Sequence, residues 1–91
     1  MREITVSVTD AHIAAGRRGD CVFCPVALAL RGAGFLRPLV AYNYFTTPEF
    51  WRRIILLPLV VTDFIRAFDS DPKSVQPFTF TVQVDGEEAR P

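Results

Sequence analysis

Polar and apolar residues alternate strictly near both ends of the chain. Ile4, Val6 and Val8 alternate with Glu3, Thr5, Ser7 and Thr9, and Phe78, Phe80, Val82 and Val84 alternate with Thr79, Thr81 and Gln83. A period of two places successive side chains on opposite faces of a strand, so each segment predicts a strand with one buried and one polar face. Between them the period changes. Val61, Phe64, Ile65 and Phe68 recur at spacings of three, four and seven, with Thr62, Asp63, Arg66 and Asp69 on the other side, which predicts an amphipathic helix opened by Pro58. Pro25 suits the first turn of another helix, because its missing N–H has no intrahelical partner there; Val26 to Leu30 continue it until Gly32 and Gly34. Residues 10–20 read as a loop with one helical turn at His12 to Ala15, ended by Gly16.

The middle of the chain holds two runs rich in β-formers, 39–45 and 50–57, separated by Thr46-Thr47-Pro48-Glu49 and therefore expected to form a hairpin. The resulting order is strand, helix, strand, strand, helix, strand. That predicts an α+β fold of βαββαβ type, the split-βαβ or ferredoxin-like arrangement of one antiparallel sheet with two helices on one face. Residues 1–85 are expected to form a single domain, and 86–91 a flexible tail without pattern.

Composition sharpens one point. The second run is apolar on both faces, with Phe50, Arg52, Ile54 and Leu56 against Trp51, Arg53, Ile55 and Leu57. Hydrophobic residues make up 49% of only 91 residues, eight of them Phe, so one small core cannot hide them all and a homodimer or higher oligomer is expected to cover the remainder. Ten basic and ten acidic residues cancel, which removes the field that draws a protein onto nucleic acid. The alternating N-terminus is no secretory leader, and the longest apolar run, Ile54 to Val61, contains Pro58 and falls short of the roughly 20 residues that span a bilayer. A cytoplasmic protein without a membrane partner is expected.

Special chemistry concentrates at Cys21-x-x-Cys24. One reading makes Cys24 and Phe23 core fillers, since free cysteine is often buried. A second gathers His12, Cys21 and Cys24 around zinc, with Asp20 or a partner-chain residue as the fourth ligand, although structural zinc sites generally use four sulfur or imidazole ligands. A third is redox chemistry, with a thiol activated at the helix entrance; against it, the motif does not directly follow a strand. His12 alone supplies no nucleophile–base set, and capping the following turn is its ordinary role. Arg17 and Arg18, beside Cys24 at the helix entrance, form a possible grip for a phosphorylated nucleotide. Tyr42, Tyr44, Trp51, Arg52 and Arg53 combine the residue types enriched at protein–protein contacts, while stacking on bases and plain cross-strand pairing remain open alternatives. Phosphate loops, paired catalytic carboxylates and nucleophile elbows are absent from the sequence, so no enzyme and no obligatory cofactor is expected.

The blocks His12-Ile13-x-x-Gly16, Cys21-x-x-Cys24-Pro25-x-Ala27-Leu28-Ala29-Leu30, Phe64-Ile65-x-Ala67-Phe68-Asp69 and Pro77-Phe78-x-Phe80 resemble those of a group of small bacteriophage and prophage proteins. The resemblance runs over Ile4 to Leu30 and Phe64 to Val82 and implies a phage-type accessory protein, without contributing catalytic residues. The expectation is thus a non-enzymatic inhibitor or interaction module that occupies a host macromolecule, in the host cytoplasm. The alternatives are sequestration of a nucleotide signal at Arg17 and Arg18, and a metal or thiol site at His12, Cys21 and Cys24.

Overall fold

Strand β1 (Arg2–Val8) lies antiparallel to the last strand, β5 (Phe78–Val84), from Arg2 opposite Val84 to Val8 opposite Phe78. A computed structural model describes residues 2–48 and 54–84 of the chain. Val6, Val8, Phe80, Val82 and Val84 point into the core, whereas Glu3, Thr5, Ser7, Thr79, Thr81 and Gln83 face outward. Both alternations therefore fold as their period of two predicts. On the polar face Gln83 Nε2 donates to Glu3 Oε2 at 2.9 Å, and the Ser7 and Thr79 hydroxyls pair at 3.3 Å.

Helix α1 (Asp10–Ala15) starts in a capping box: His12 N–H donates to Thr9 Oγ1 at 3.4 Å, and Thr9 N–H donates back to His12 Nδ1 at 3.0 Å. Helix α2 (Pro25–Gly32) begins with Cys24 as N-cap and Pro25 in its first turn. It ends in a Schellman motif, in which Gly34 N–H donates to the Arg31 carbonyl at 3.0 Å and Phe35 N–H to the Leu30 carbonyl at 3.1 Å. Gly34 takes φ +109°, a conformation that favours glycine. Buried Leu30 and Phe35 accompany the motif.

The expected hairpin forms in a modified way. The run 39–45 divides into β2 (Leu39–Val40) and β3 (Tyr44–Thr46), because the chain reverses at 41–43, where Ala41 N–H donates to the Tyr44 carbonyl at 2.8 Å. Asn43, a favoured turn residue, sits in that reversal. Strand β4 (Ile55–Leu56) then pairs with β3, Phe45 opposite Ile55 and Tyr44 opposite Leu56. Helix α3 (Leu59–Ser70) follows directly, buries Val61, Phe64, Ile65 and Phe68 as its periodicity predicts, and leads through a 3₁₀ turn at Pro72–Ser74 into β5.

The α+β class holds, but the described strands form two antiparallel sheets, β1-β5 and β2-β3-β4, instead of the single sheet of a split βαβ unit, and three helices instead of two. Pro58 explains part of this. It lacks an N–H for a ladder and opens α3 at once, which ends β4 after Leu56, and a groove of about 470 Å³ lined by residues 54–58 and 81–83 separates β4 from β5. A single hydrophobic cluster nevertheless connects everything, from Val6 and Leu30 through Phe45 and Ile55 to Phe68 and Val84.

Candidate functional site

Residues 16–24 fold back on themselves before α2. Asp20 Oδ1 accepts from Val22 N–H at 2.8 Å and Phe23 N–H at 2.9 Å, and Cys24 N–H donates to the Asp20 carbonyl at 3.1 Å, so residues 20–24 form one helix-like turn. Those two amides hold the Asp20 carboxyl below the usual carboxylate range. Cys24 then caps α2 itself, its sulfur accepting from Ala27 N–H at 3.4 Å. Two consecutive caps, Asp20 and Cys24, thus fix the positions of Cys21 and Cys24.

Asp69, in the last turn of α3, ties this loop to the rest. Gly19 N–H donates to its Oδ1 at 3.0 Å and the Tyr42 hydroxyl to its Oδ2 at 3.4 Å, while Arg18 Nε and Nη2 donate to the Asp69 and Ser70 carbonyls at 2.9 and 3.4 Å. An acidic side chain at a helix C-terminus faces the negative end of the helix dipole; Arg18 and the Gly19 amide offset that cost. Arg66 lies over the Tyr42 ring at 5.7 Å. Between loop, turn and helix opens a cleft of about 190 Å³, lined by Gly19, Asp20, Cys21, Cys24, Val40, Ala41, Tyr42, Ile65 and Asp69. No protein family, curated protein or solved structure matches this chain.

Both cysteines are free thiols that line the cleft, Cys21 exposed and Cys24 buried in the core cluster. Burial pushes the Cys24 thiol up, opposed by the Ala27 and Val26 amides and reinforced by the Asp69 and Asp20 carboxylates. Cys24 is thus the core filler one sequence reading proposed. Phe23 is not: it is 42% exposed, with the Arg17 and Arg31 guanidinium groups 5.5 and 5.2 Å from its ring centre. The Asp20 cap explains the reversal, because it turns residue 23 outward while seating residue 24.

His12 stands away from the cleft, in its own capping box, and caps the helix it belongs to by reaching back to Thr9, not the turn that follows. Among the described residues no group of three or more His, Cys, Asp or Glu side chains able to hold a metal forms, so His12, Cys21 and Cys24 are not brought together. Arg17 lies over the Phe23 ring just ahead of the α2 entrance, whereas Arg18 is engaged with the end of α3. Trp51, Arg52 and Arg53 lie outside the described residues.

The second surface of interest is the outer face of the three-stranded sheet. Paired residues share a face, so Tyr44 stands beside Leu56 and Leu39 beside Thr46, opposite the buried Val40, Phe45 and Ile55. Leu56 is 71% exposed and Ile54, two positions earlier, 63%; Leu59 and Val60 extend the apolar surface onto the start of α3 at 79% and 51%. Of this surface, reading the sequence located Tyr44 and the two-faced run 54–57 but not Leu59 and Val60, which occupy the solvent side of an otherwise amphipathic helix. No helix among the described residues is long and apolar enough to cross a membrane.

Proposed function

We propose that this chain is a small non-enzymatic binding module, of the accessory or inhibitor kind, that acts by occupying a protein partner. Its contact surface is the outer face of the β2-β3-β4 sheet, with Tyr44, Ile54 and Leu56 at its centre and Leu59 and Val60 at its margin. One observation carries the reading: a sheet that is apolar on both faces has only one of them buried in the core. Covering what remains exposed of Ile54, Leu56, Leu59 and Val60 is worth on the order of 4–8 kcal/mol, comparable with the lower estimates of what association itself costs. Such a face is stable when covered and a liability when bare.

The nucleotide alternative draws less support, because Arg18 is engaged with the end of α3 and the nearest cleft is lined by two carboxylates. The test is capture from host lysate by the tagged protein, with the solution mass of the free chain measured in parallel. Leu56→Asp combined with Leu59→Asp changes only exposed positions and should keep the fold while abolishing capture and any self-association. Unchanged capture and unchanged solution mass in that variant would rule the reading out.

A further inference from the structure

The geometry points to Cys21 and Cys24 as a reversible dithiol site that takes small-molecule disulfides and closes an intramolecular Cys21–Cys24 bond. Three observations converge on it, none of which concerns the sheet surface. Both cysteines line the same cleft, Cys21 an exposed residue and Cys24 a buried one. Residues 21–24 lie within the turn closed by Cys24 N–H and the Asp20 carbonyl at 3.1 Å, and residues three apart on such a turn project from one side with Cβ atoms about 5–6 Å apart. A disulfide needs a Cβ separation of about 3.5–4.5 Å, so a small closure of the turn suffices. Finally, the 20–24 turn is held by the side-chain and backbone caps at Asp20, so closing the bond leaves them in place and costs only the long contact of the Cys24 sulfur with Ala27 N–H at 3.4 Å.

The division of labour follows from exposure. The Cys21 thiolate attacks one sulfur of glutathione disulfide; the S–S bond of the reagent breaks and one glutathione thiolate leaves. Cys24, deprotonated in turn, attacks the Cys21 sulfur of the mixed disulfide, the second glutathione leaves as its thiolate, and the two protons lost by the cysteines are taken up by the two leaving groups. The chain is oxidised by two electrons and the reagent is reduced by two. Cys24 never needs to meet the reagent, which is why its burial is compatible with the role. Its raised pKa keeps it protonated at rest and makes the second step accelerate with rising pH.

The experiment treats the reduced, full chain with glutathione disulfide and follows intact mass and free thiols. The wild type should lose both thiols, become lighter by two hydrogens, remain monomer-linked and carry no adduct; dithiothreitol should restore it. Cys24→Ser keeps a favoured N-cap on α2 and should stop at one persistent glutathione adduct on Cys21. Cys21→Ser should stay unmodified until the chain is unfolded. A wild type that stops at a stable adduct, links two chains through Cys21 or keeps both thiols would overturn the proposal. Unfolded samples of both serine variants, which must each take one adduct, verify that the reagent is competent.

Discussion

Gly16 joins two helices by having no side chain. A Cβ there would stand 2.5 Å from Cδ and Cγ of Pro25 and 2.7 Å from its nitrogen, although φ −71° and ψ 154° suit any residue. Gly16 ends α1 as its position predicts, its N–H donating to the His12 carbonyl at 2.8 Å, but glycine is required there by close approach and not by conformation. The Pro25 ring belongs to a helix start and has little room to yield, so Gly16→Ala should cost about 1–3 kcal/mol, readable as a lower urea midpoint. Titration behaviour is equally local. Because the Cys24 thiol is raised in the folded state, its contribution to stability is complete below the unfolded thiol pKa and is lost as pH rises through the folded value. Asp20 acts in the opposite range: its lowered carboxyl contributes above the ordinary carboxylate pKa and loses that contribution as pH falls through the folded one. Under reducing conditions, Cys24→Ser should flatten the alkaline side of the stability profile and Asp20→Asn the acid side.

Helix α3 illustrates what periodicity reads and what it misses. Its four large apolar residues are buried where the three-four spacing puts them, and Phe64 packs in parallel on Phe68 and against Phe78 of β5, with centroids 6.1 and 4.7 Å apart. Thr62, assigned to the polar side, is buried as well. Its hydroxyl donates to the Tyr42 carbonyl at 2.6 Å, so a polar residue docks the reversal between β2 and β3 onto the helix. Thr62→Val nearly preserves shape but leaves that carbonyl without its donor; a loss of about 1–3 kcal/mol in denaturant unfolding is expected, with Thr62→Ser retaining most of it. The opposite end of the helix presents Asp69 to Gly19 and Tyr42. An acidic residue in a C-terminal helical turn is unfavourable unless donors meet it, so Asp69 is the sequence signal that adds this helix end to the cleft already marked by Cys21 and Cys24.

Two sheets share one core, so the protein should unfold as one unit. Phe45 is fully buried in the three-stranded sheet, edge-on to Phe35 with centroids 5.1 Å apart, while Val6 and Val82 belong to the other sheet and to the same cluster. Phe45→Ala should cost about 3–5 kcal/mol, a large part of the roughly 5–15 kcal/mol available to a domain. Circular dichroism and hydrogen exchange of the β1 and β5 amides should report the same shift. A loss confined to the amides of β2, β3 and β4 would mean that the sheets are separate cooperative units.

Local periodicity determined the two long strands, helix α3 and the α+β class, with Pro25 and the later glycines marking α2, because alternation and three-four spacing are statements about which side of one element faces apolar neighbours. It also exposed the excess of apolar faces in 54–57, since no single element can bury both sides of such a run. What no local pattern contains is the pairing of elements. The division into two sheets, the outward turn of Phe23, the burial of Thr62 and the gathering of Cys21, Cys24, Tyr42 and Asp69 around one cleft depend on contacts between residues up to about eighty positions apart. Those contacts are chosen by packing and by hydrogen bonds to the backbone of distant segments, and only the folded chain brings the partners within reach of each other.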